Sequence, residues 1–150
     1  MTIERPDDCL FYLVSRATLA ASSALRLGLA GAAVEAVKPA YLGVLLSLWQ
    51  TDDAQTTELG RRAGLEPSTM TGLLDRMERD GLIQRRADPE DRRAQRITLT
   101  EYGRKAKAPV MRVVDATLAR MTQGFSRAEL SQLKELLQRL IQVTREEVIR

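Results

Sequence analysis

Between residues 9 and 28 the apolar positions recur at intervals of three and four: Leu10, Leu13, Val14, Ala17, Ala21, Ala24, Leu25 and Gly28. That is the period of a helix, and the small side chains in the stripe permit close approach of a second helix. Gly28 and Gly31 weaken its continuation. Pro39 suits the first turn of another helix, where its missing N–H costs nothing. Y-L-G-V-L-L-S-L-W carries that helix to about Gln50, apolar almost all round and therefore central. T-D-D-A-Q reads as the loop that ends it. Thr56 reads as the N-cap of a short helix, T-E-L-G-R-R-A, with Glu58 in its favourable first turn and Gly64 at its end. Pro67 opens a further helix that runs to about Asp80 and is stopped by Gly81. Its residues Met70, Leu73, Leu74 and Met77 fall on one face.

After Gly81 the period changes. L-I-Q-R-R-A and R-I-T-L-T are short runs separated by D-P-E-D-R-R, the pattern of a β-hairpin. From Thr100 to about Gln123 the pattern is helical again, with a stripe of Ala106, Val110, Val113, Val114, Thr117 and Met121. Pro109 lies inside it and should bend it. Gly124 breaks the pattern, and Ser126 with Glu129 forms a capping box. Leu130, Leu133, Leu137, Leu140 and Thr144 then make a narrow heptad seam, flanked by Leu136, Ile141, Val143 and Val148. The fold class expected is mainly α with a small β-hairpin. Two long apolar helices flank a middle made of helix, short helix, helix and hairpin. The leucine-rich last helix needs a surface to pack on that the small centre cannot supply.

The centre has the order of a winged helix-turn-helix. Its second helix opens with Ser68, Thr69, Thr71 and Gly72, small residues facing away from the apolar stripe, and Arg76 extends that outward face. The first turn of a helix also offers free N–H groups and a partial positive charge to phosphate. Gly72 costs the helix about 1 kcal/mol against alanine, a cost that makes sense where a backbone must approach DNA. The hairpin after this helix is then a wing. Its tip, with Arg92, Arg93 and Arg96, suits the negative potential of a minor groove. Asp91 is expected to brace a tip arginine by a bidentate pair, and Pro89 to limit the turn.

Composition narrows the alternatives. In 150 residues there is one cysteine and no histidine, so no intrachain disulfide, no histidine-based metal site and no Ser-His-Asp triad can form. No calcium-type loop and no phosphate-cradling glycine loop is present, so no cofactor, no metal and no catalysis are expected. The net charge of +3 is compatible with nucleic acid without requiring it. No apolar run approaches the roughly 18–20 residues that span a bilayer. M-T-I-E-R-P-D-D is acidic and polar rather than a secretory leader, so a cytoplasmic location is expected.

The run L-G-R-R-A-G-L-E-P-S-T-M-T-G-L-L-D-R-M-E-R-D-G-L-I-Q-R-R-A-D-P-E-D-R-R-A-Q-R-I-T-L-T-E-Y-G-R resembles the winged helix-turn-helix core of the MarR family of bacterial transcription regulators. The wing pattern D-x-R-x-x-R is met by Asp91, Arg93 and Arg96, and the resemblance is strong over residues 39–105. It implies a homodimer, with residues 1–36 and 101–150 forming the dimerisation helices and 37–100 the DNA-binding lobe. It implies a pseudo-palindromic operator whose major grooves, roughly 34–36 Å apart, receive the two recognition helices. Ser68, Thr69, Thr71 and Arg76 would face the groove, and Arg93 would be the wing-tip arginine. Repression is implied, with release by a small lipophilic or phenolic effector bound between the lobes. Arg16, Tyr41 and Trp49 are candidates for such a pocket. Two departures stand out: Gly72 occurs where many members carry a large basic residue, and Glu66 where Asp or Asn would cap better.

Two other functions fit parts of the pattern. A protein-interaction module would use the charged hairpin and the leucine seam. An oxidant-sensing repressor would act through Cys9, which lies near the start of the first helix, as a cysteine does in one branch of the family. Counting back from Ser15 and Arg16, however, the matching position is Asp8, and Asp7 and Asp8 oppose a thiolate.

Overall fold

The computed structural model describes residues 5–148. Residues 1–4 and 149–150, which belong to the expected terminal segments, and the side chains of residues 146–148, with Val148 beside the expected seam among them, lie outside the described part. Helix α1 (Leu10–Ala30) follows the stripe expected of it. Gly28 lets it approach the chain closely, because a Cβ there would sit 2.8 Å from Val113 Cγ1. A 3-10 turn at Pro39–Tyr41 leads into α2 (Leu42–Gln50). Tyr41, Val44, Leu45 and Leu48 are buried, so this helix is central, as its apolar circumference requires.

T-D-D-A-Q is not only a loop. Ala54–Gln55 forms a short strand, β1, and α3 (Thr56–Ala63) starts directly after it. The N-cap is Gln55 rather than Thr56. The Thr56 hydroxyl instead donates to the Gln95 carbonyl at 3.3 Å, because the sheet brings Gln95 alongside. Gly64 ends α3 in the left-handed conformation, with φ 69°, where glycine carries no Cβ penalty. Helix α4 (Pro67–Arg79) buries Met70, Leu73, Leu74 and Met77. Four such side chains contribute roughly 1.5–3 kcal/mol each, so packing easily outweighs the cost of one internal glycine.

Strands β2 (Ile83–Ala87) and β3 (Gln95–Leu99) form the expected hairpin. β3 lies in the middle of a three-stranded antiparallel sheet of order β1-β3-β2, paired with β1 through Ala54↔Ile97 and Gln55↔Arg96. The junction that follows is tightly built. The Thr100 hydroxyl accepts from the Gly103 N–H at 2.9 Å and donates to the Gly81 carbonyl at 2.6 Å. This caps α5 (Glu101–Lys105). A Cβ on Gly103 would collide with the Leu82 carbonyl. α6 (Lys107–Met121) follows after an interruption at Ala106. Pro109 accounts for the break, since it has no N–H for the carbonyl four residues earlier.

The chain divides into two compact units, one ending at Thr117 and one beginning at Leu118. The second contains α7 (Arg127–Val148). Its entry is the expected capping box: Ser126 N–H donates to Glu129 Oε2 at 2.7 Å, and Glu129 N–H to Ser126 Oγ at 3.2 Å. Along α7 the seam residues Leu133, Leu137 and Leu140 are exposed, as are Leu136, Ile141 and Val143 beside them.

Candidate nucleic-acid interface

Helix α4 turns Ser68, Thr69, Thr71 and Arg76 outward and leaves Gly72 half-buried. The helix is as short of a side-chain cap as the sequence suggests: Glu66 stands at the N-cap without a capping bond, and Pro67 follows in the first turn. The Thr71 hydroxyl donates to the Pro67 carbonyl at 3.1 Å, which uses its proton within the helix. Its lone pairs stay available as acceptors. Gly72 has room for a side-chain carbon. The nearest atom to an added Cβ would be Arg76 Nη1, at 3.6 Å. Arg76 has no carboxylate partner among the described residues.

The five arginines of the stretch R-R-A-D-P-E-D-R-R-A-Q-R separate into two groups. Arg85, Arg86 and Arg96 are internal ties. Arg85, on β2, reaches back to α4, with Nη2 2.7 Å from Asp75 Oδ1 and Nη1 3.1 Å from Glu78 Oε2. Glu78 also accepts the Arg85 backbone N–H, at 3.2 Å. Arg96, expected at the tip with Arg92 and Arg93, sits instead on β3, and its guanidinium is clamped between two acids. Nε donates to Asp53 Oδ1 at 2.9 Å, Nη1 donates to Asp88 Oδ2 at 3.2 Å, and Nη2 bonds the Asp53 carbonyl. Arg86 shares Asp53. Only Arg92 and Arg93 stand exposed at the tip without a carboxylate partner among the described residues.

The brace of the wing is therefore Asp88 rather than an Asp91–guanidinium pair. Asp88 is 4% exposed. One oxygen accepts the N–H groups of Glu90 (2.8 Å) and Asp91 (3.2 Å), which closes the turn around Pro89. The other accepts Gln55 Nε2 at 2.8 Å and Arg96. The Gln55 amide, the Glu90 N–H and Arg96 hold the Asp88 carboxyl down at about 2. Asp91 still stiffens the tip, but through the backbone: its carboxylate accepts the Arg93 N–H at 2.9 Å. The expected bidentate pair does not form: the bond to this carboxylate is the local one from the Arg93 N–H, a side-chain-to-backbone bond of the kind that stabilises turns.

Asp52 and Asp53, inside the segment read as a loop, were not singled out by pattern. Asp53 has a left-handed backbone, φ 59°, rare for a residue with a side chain. This conformation accompanies the presentation of both its carboxylate and its carbonyl to Arg96. The Arg96 hydrogen bond, then Arg86, lowers the pKa of Asp53. Asp52 accepts the Leu99 N–H at 2.9 Å and lies 3.6 Å from Arg104. Together these acids fasten the base of the wing to the segment before α3. Asp88 carried one legible signal, its place before a proline at a turn. Asp53 carried none, because its partner lies 43 residues away.

The candidate effector residues Tyr41 and Trp49 make structural contacts. Tyr41 is fully buried and donates to Asp80 Oδ2 at 2.7 Å, with Lys38 Nζ on the same oxygen at 3.1 Å. Trp49 donates its indole N–H to the Gly103 carbonyl at 2.9 Å. Both aromatic side chains are thus committed to holding neighbouring elements together. Arg16 is exposed on α1. A half-open groove of about 640 Å3 lies between the C-terminal half of α1 and the segment before α2, lined by Leu19, Ser22, Arg26, Leu29, Val37 and Lys38 among others. Cys9 is half-buried at the N-cap of α1. Among the described residues no helix is long and apolar enough to cross a membrane. No cluster of acidic or cysteine side chains there could hold a metal ion.

This arrangement has counterparts. The sequence profile of the MarR family matches residues 39–94, from the 3-10 turn before α2 to the tip of the wing. The organic hydroperoxide resistance transcriptional regulator of Bacillus subtilis is 36% identical over 104 residues, 69% of each chain. Among solved structures, the transcriptional repressor CouR bound to a 23-mer DNA duplex is 26% identical with a TM-score of 0.79, covering 93% of this chain and 97% of that one. The PcaV transcriptional regulator from Streptomyces coelicolor, in complex with its natural ligand, shares the fold with a TM-score of 0.82 at 20% identity, over 96% and 99% of the two chains. A winged helix-turn-helix of this build, with a relative so similar over two thirds of its length, belongs to the MarR family of transcriptional regulators.

Proposed function

We propose that the chain is a homodimeric repressor that binds a pseudo-palindromic operator. In each half-site α4 would enter the major groove with Ser68, Thr69, Thr71, Gly72 and Arg76, and the wing would place Arg92 and Arg93 at the adjacent minor groove. The observation that carries this reading is the division of labour in the wing. Three arginines are tied to acids, while the two at the tip are exposed and without carboxylate partners on a turn fixed by buried Asp88. Arginine so presented suits the negative potential of a narrow groove. Asp91 and Arg96 act on DNA indirectly, by holding that tip. The duplex bound to CouR supports the partner class.

The homodimer is supported by two uncovered apolar faces. Helix α1 exposes Leu10, Phe11, Leu13 and Leu19, and α7 exposes its heptad seam. Apolar faces of this extent on a soluble chain mark an interaction surface, and a second copy offers the matching pattern. On this reading residues 1–36 and 101–150 are the dimerisation segments and 37–100 the DNA-binding lobe. The groove beside α1, with apolar walls and the Arg26 cation, is the place for a small lipophilic effector, in preference to Tyr41 and Trp49.

The test is selection of bound sites from randomised duplex DNA, followed by affinity measured across a salt series. A dimer neutralising several phosphates loses affinity steeply as salt rises and enriches an inverted repeat. A flat response with no enriched sequence would favour a protein-interaction module. The name of the Bacillus subtilis relative favours one second reading, an oxidant-sensing repressor acting through Cys9. Operator release by an organic hydroperoxide that survives Cys9→Ser would remove it.

A further inference from the structure

We propose that Asp75 is a base-reading residue of the recognition helix, accepting a hydrogen bond from the exocyclic amine of a cytosine in the major groove. This rests on the DNA-binding reading above. The starting point is an apparent contradiction. Asp75 lies on the outer side of α4 and its side chain is 60% exposed, on the helix that would meet a polyanion. A carboxylate in that place repels phosphate unless its charge is balanced and it has something to accept.

The first condition is met in part, since Arg85 is shared with Glu78, and the second is met in full. Arg85 Nη2 holds Asp75 Oδ1 at 2.7 Å, and Arg85 is itself fixed by Glu78 through both its guanidinium and its backbone N–H. The pair is thus locked from the β2 side, and the second oxygen of Asp75 has no hydrogen-bond donor among the described residues. Position adds to this. Asp75 stands three residues after Gly72 and seven after Ser68, on one line of the helix surface. Gly72 has no side chain to hold the helix off the groove floor, and an added Cβ there would meet nothing closer than 3.6 Å. A helix that can sit this deep brings short side chains to the base edges, and aspartate is short. Cytosine is the base whose major-groove edge offers a lone donor, its N4 amine, and carboxylates accept from it.

The experiment is site selection from randomised duplexes with the wild-type chain, Asp75→Ala and Asp75→Asn, each checked by thermal melting. The wild type should enrich cytosine at one position in each half-site, by on the order of tenfold over the other bases. Asp75→Ala should lose the preference there and keep it elsewhere. Asp75→Asn should shift it toward adenine, whose N6 and N7 an amide can bridge, a change that a merely structural role would not produce. Retention of the same cytosine preference by Asp75→Ala overturns the proposal. So does a loss of preference at every position in a variant that melts like the wild type, which would make Asp75 only a prop for the wing. A wild-type chain that enriches no duplex would overturn the DNA-binding reading itself, and this inference with it.

Discussion

Asp88 and Arg96 meet at 3.2 Å across the base of the wing, the carboxylate buried and the guanidinium half-buried. Arg96 gains a second acid, Asp53, from the far side, and the two acids raise its affinity for the proton, Asp53 more than Asp88. The hairpin is therefore fastened at its root and stiffened at its tip by the same carboxylate.

That fastening makes stability depend on acid. The Asp88 carboxyl sits at about 2 in the folded chain, against about 3.9 when unfolded. A group whose pKa is lowered by folding contributes stability that is complete above its unfolded value and lost as pH falls through its folded value. Asp53 is lowered as well and adds the same sign. The melting temperature is expected to fall between about pH 4 and pH 2. Asp88→Asn should melt lower than wild type at pH 6 and show a smaller further loss on acidification. Parallel curves for the two chains would contradict the role given to Asp88.

Arg93 and Arg96, three residues apart, should respond in opposite ways to removal. Arg93→Ala is expected to cost roughly 1–3 kcal/mol of operator affinity with the melting temperature unchanged, since its guanidinium has no carboxylate partner among the described residues. Arg96→Ala should lower the melting temperature, because it leaves a buried carboxylate short of its charged donor. Fluorescence anisotropy on an operator duplex and thermal melting, run on both variants, separate the two outcomes.

Two glycines provide a second contrast. Gly72→Ala meets only ordinary contact with Arg76, so it should add about 1 kcal/mol of stability while weakening operator binding if the helix backbone lies close to the groove. Gly103→Ala drives a methyl group into the Leu82 carbonyl and disturbs the bond from Trp49. It should destabilise the chain strongly. Denaturant unfolding of both variants checks the signs, and a stabilised Gly103→Ala would show the junction to be looser than described.

Leu137 is exposed on α7 within the heptad seam. Leu137→Asp should leave helix content nearly unchanged, because the side chain has little to lose within one chain. If the seam is the interface of the proposed dimer, it should dissociate that dimer by placing a charge among apolar side chains. Analytical ultracentrifugation reads this directly; a dimer that persists at micromolar concentration would move the interface elsewhere.

Much of the architecture was legible because its determinants are local. The buried face of α4, the left-handed glycines that end α3 and precede β2, and the Ser126–Glu129 box all rest on spacings of three, four or one. Pro109 marked a disturbance, which took the form of a break at Ala106. β1 escaped notice because two residues carry no periodicity. The structural ties of Tyr41 and Trp49 escaped notice for a related reason: aromatic character is visible in the sequence, but their partners Asp80 and Gly103 lie 39 and 54 residues away.

The pattern of apolar and polar residues was enough, alone, to specify a winged helix-turn-helix between two apolar helices, since each helix and the hairpin is encoded within its own span of chain. It also placed five arginines in the wing. Which of them are ties and which are left at the tip was decided only in three dimensions, when β1 paired with β3 and carried Asp53 and Gln55 to Arg96 and Asp88. Charge is written in the sequence, but an ion pair depends on distance, and distance between residues 43 apart is set by the fold.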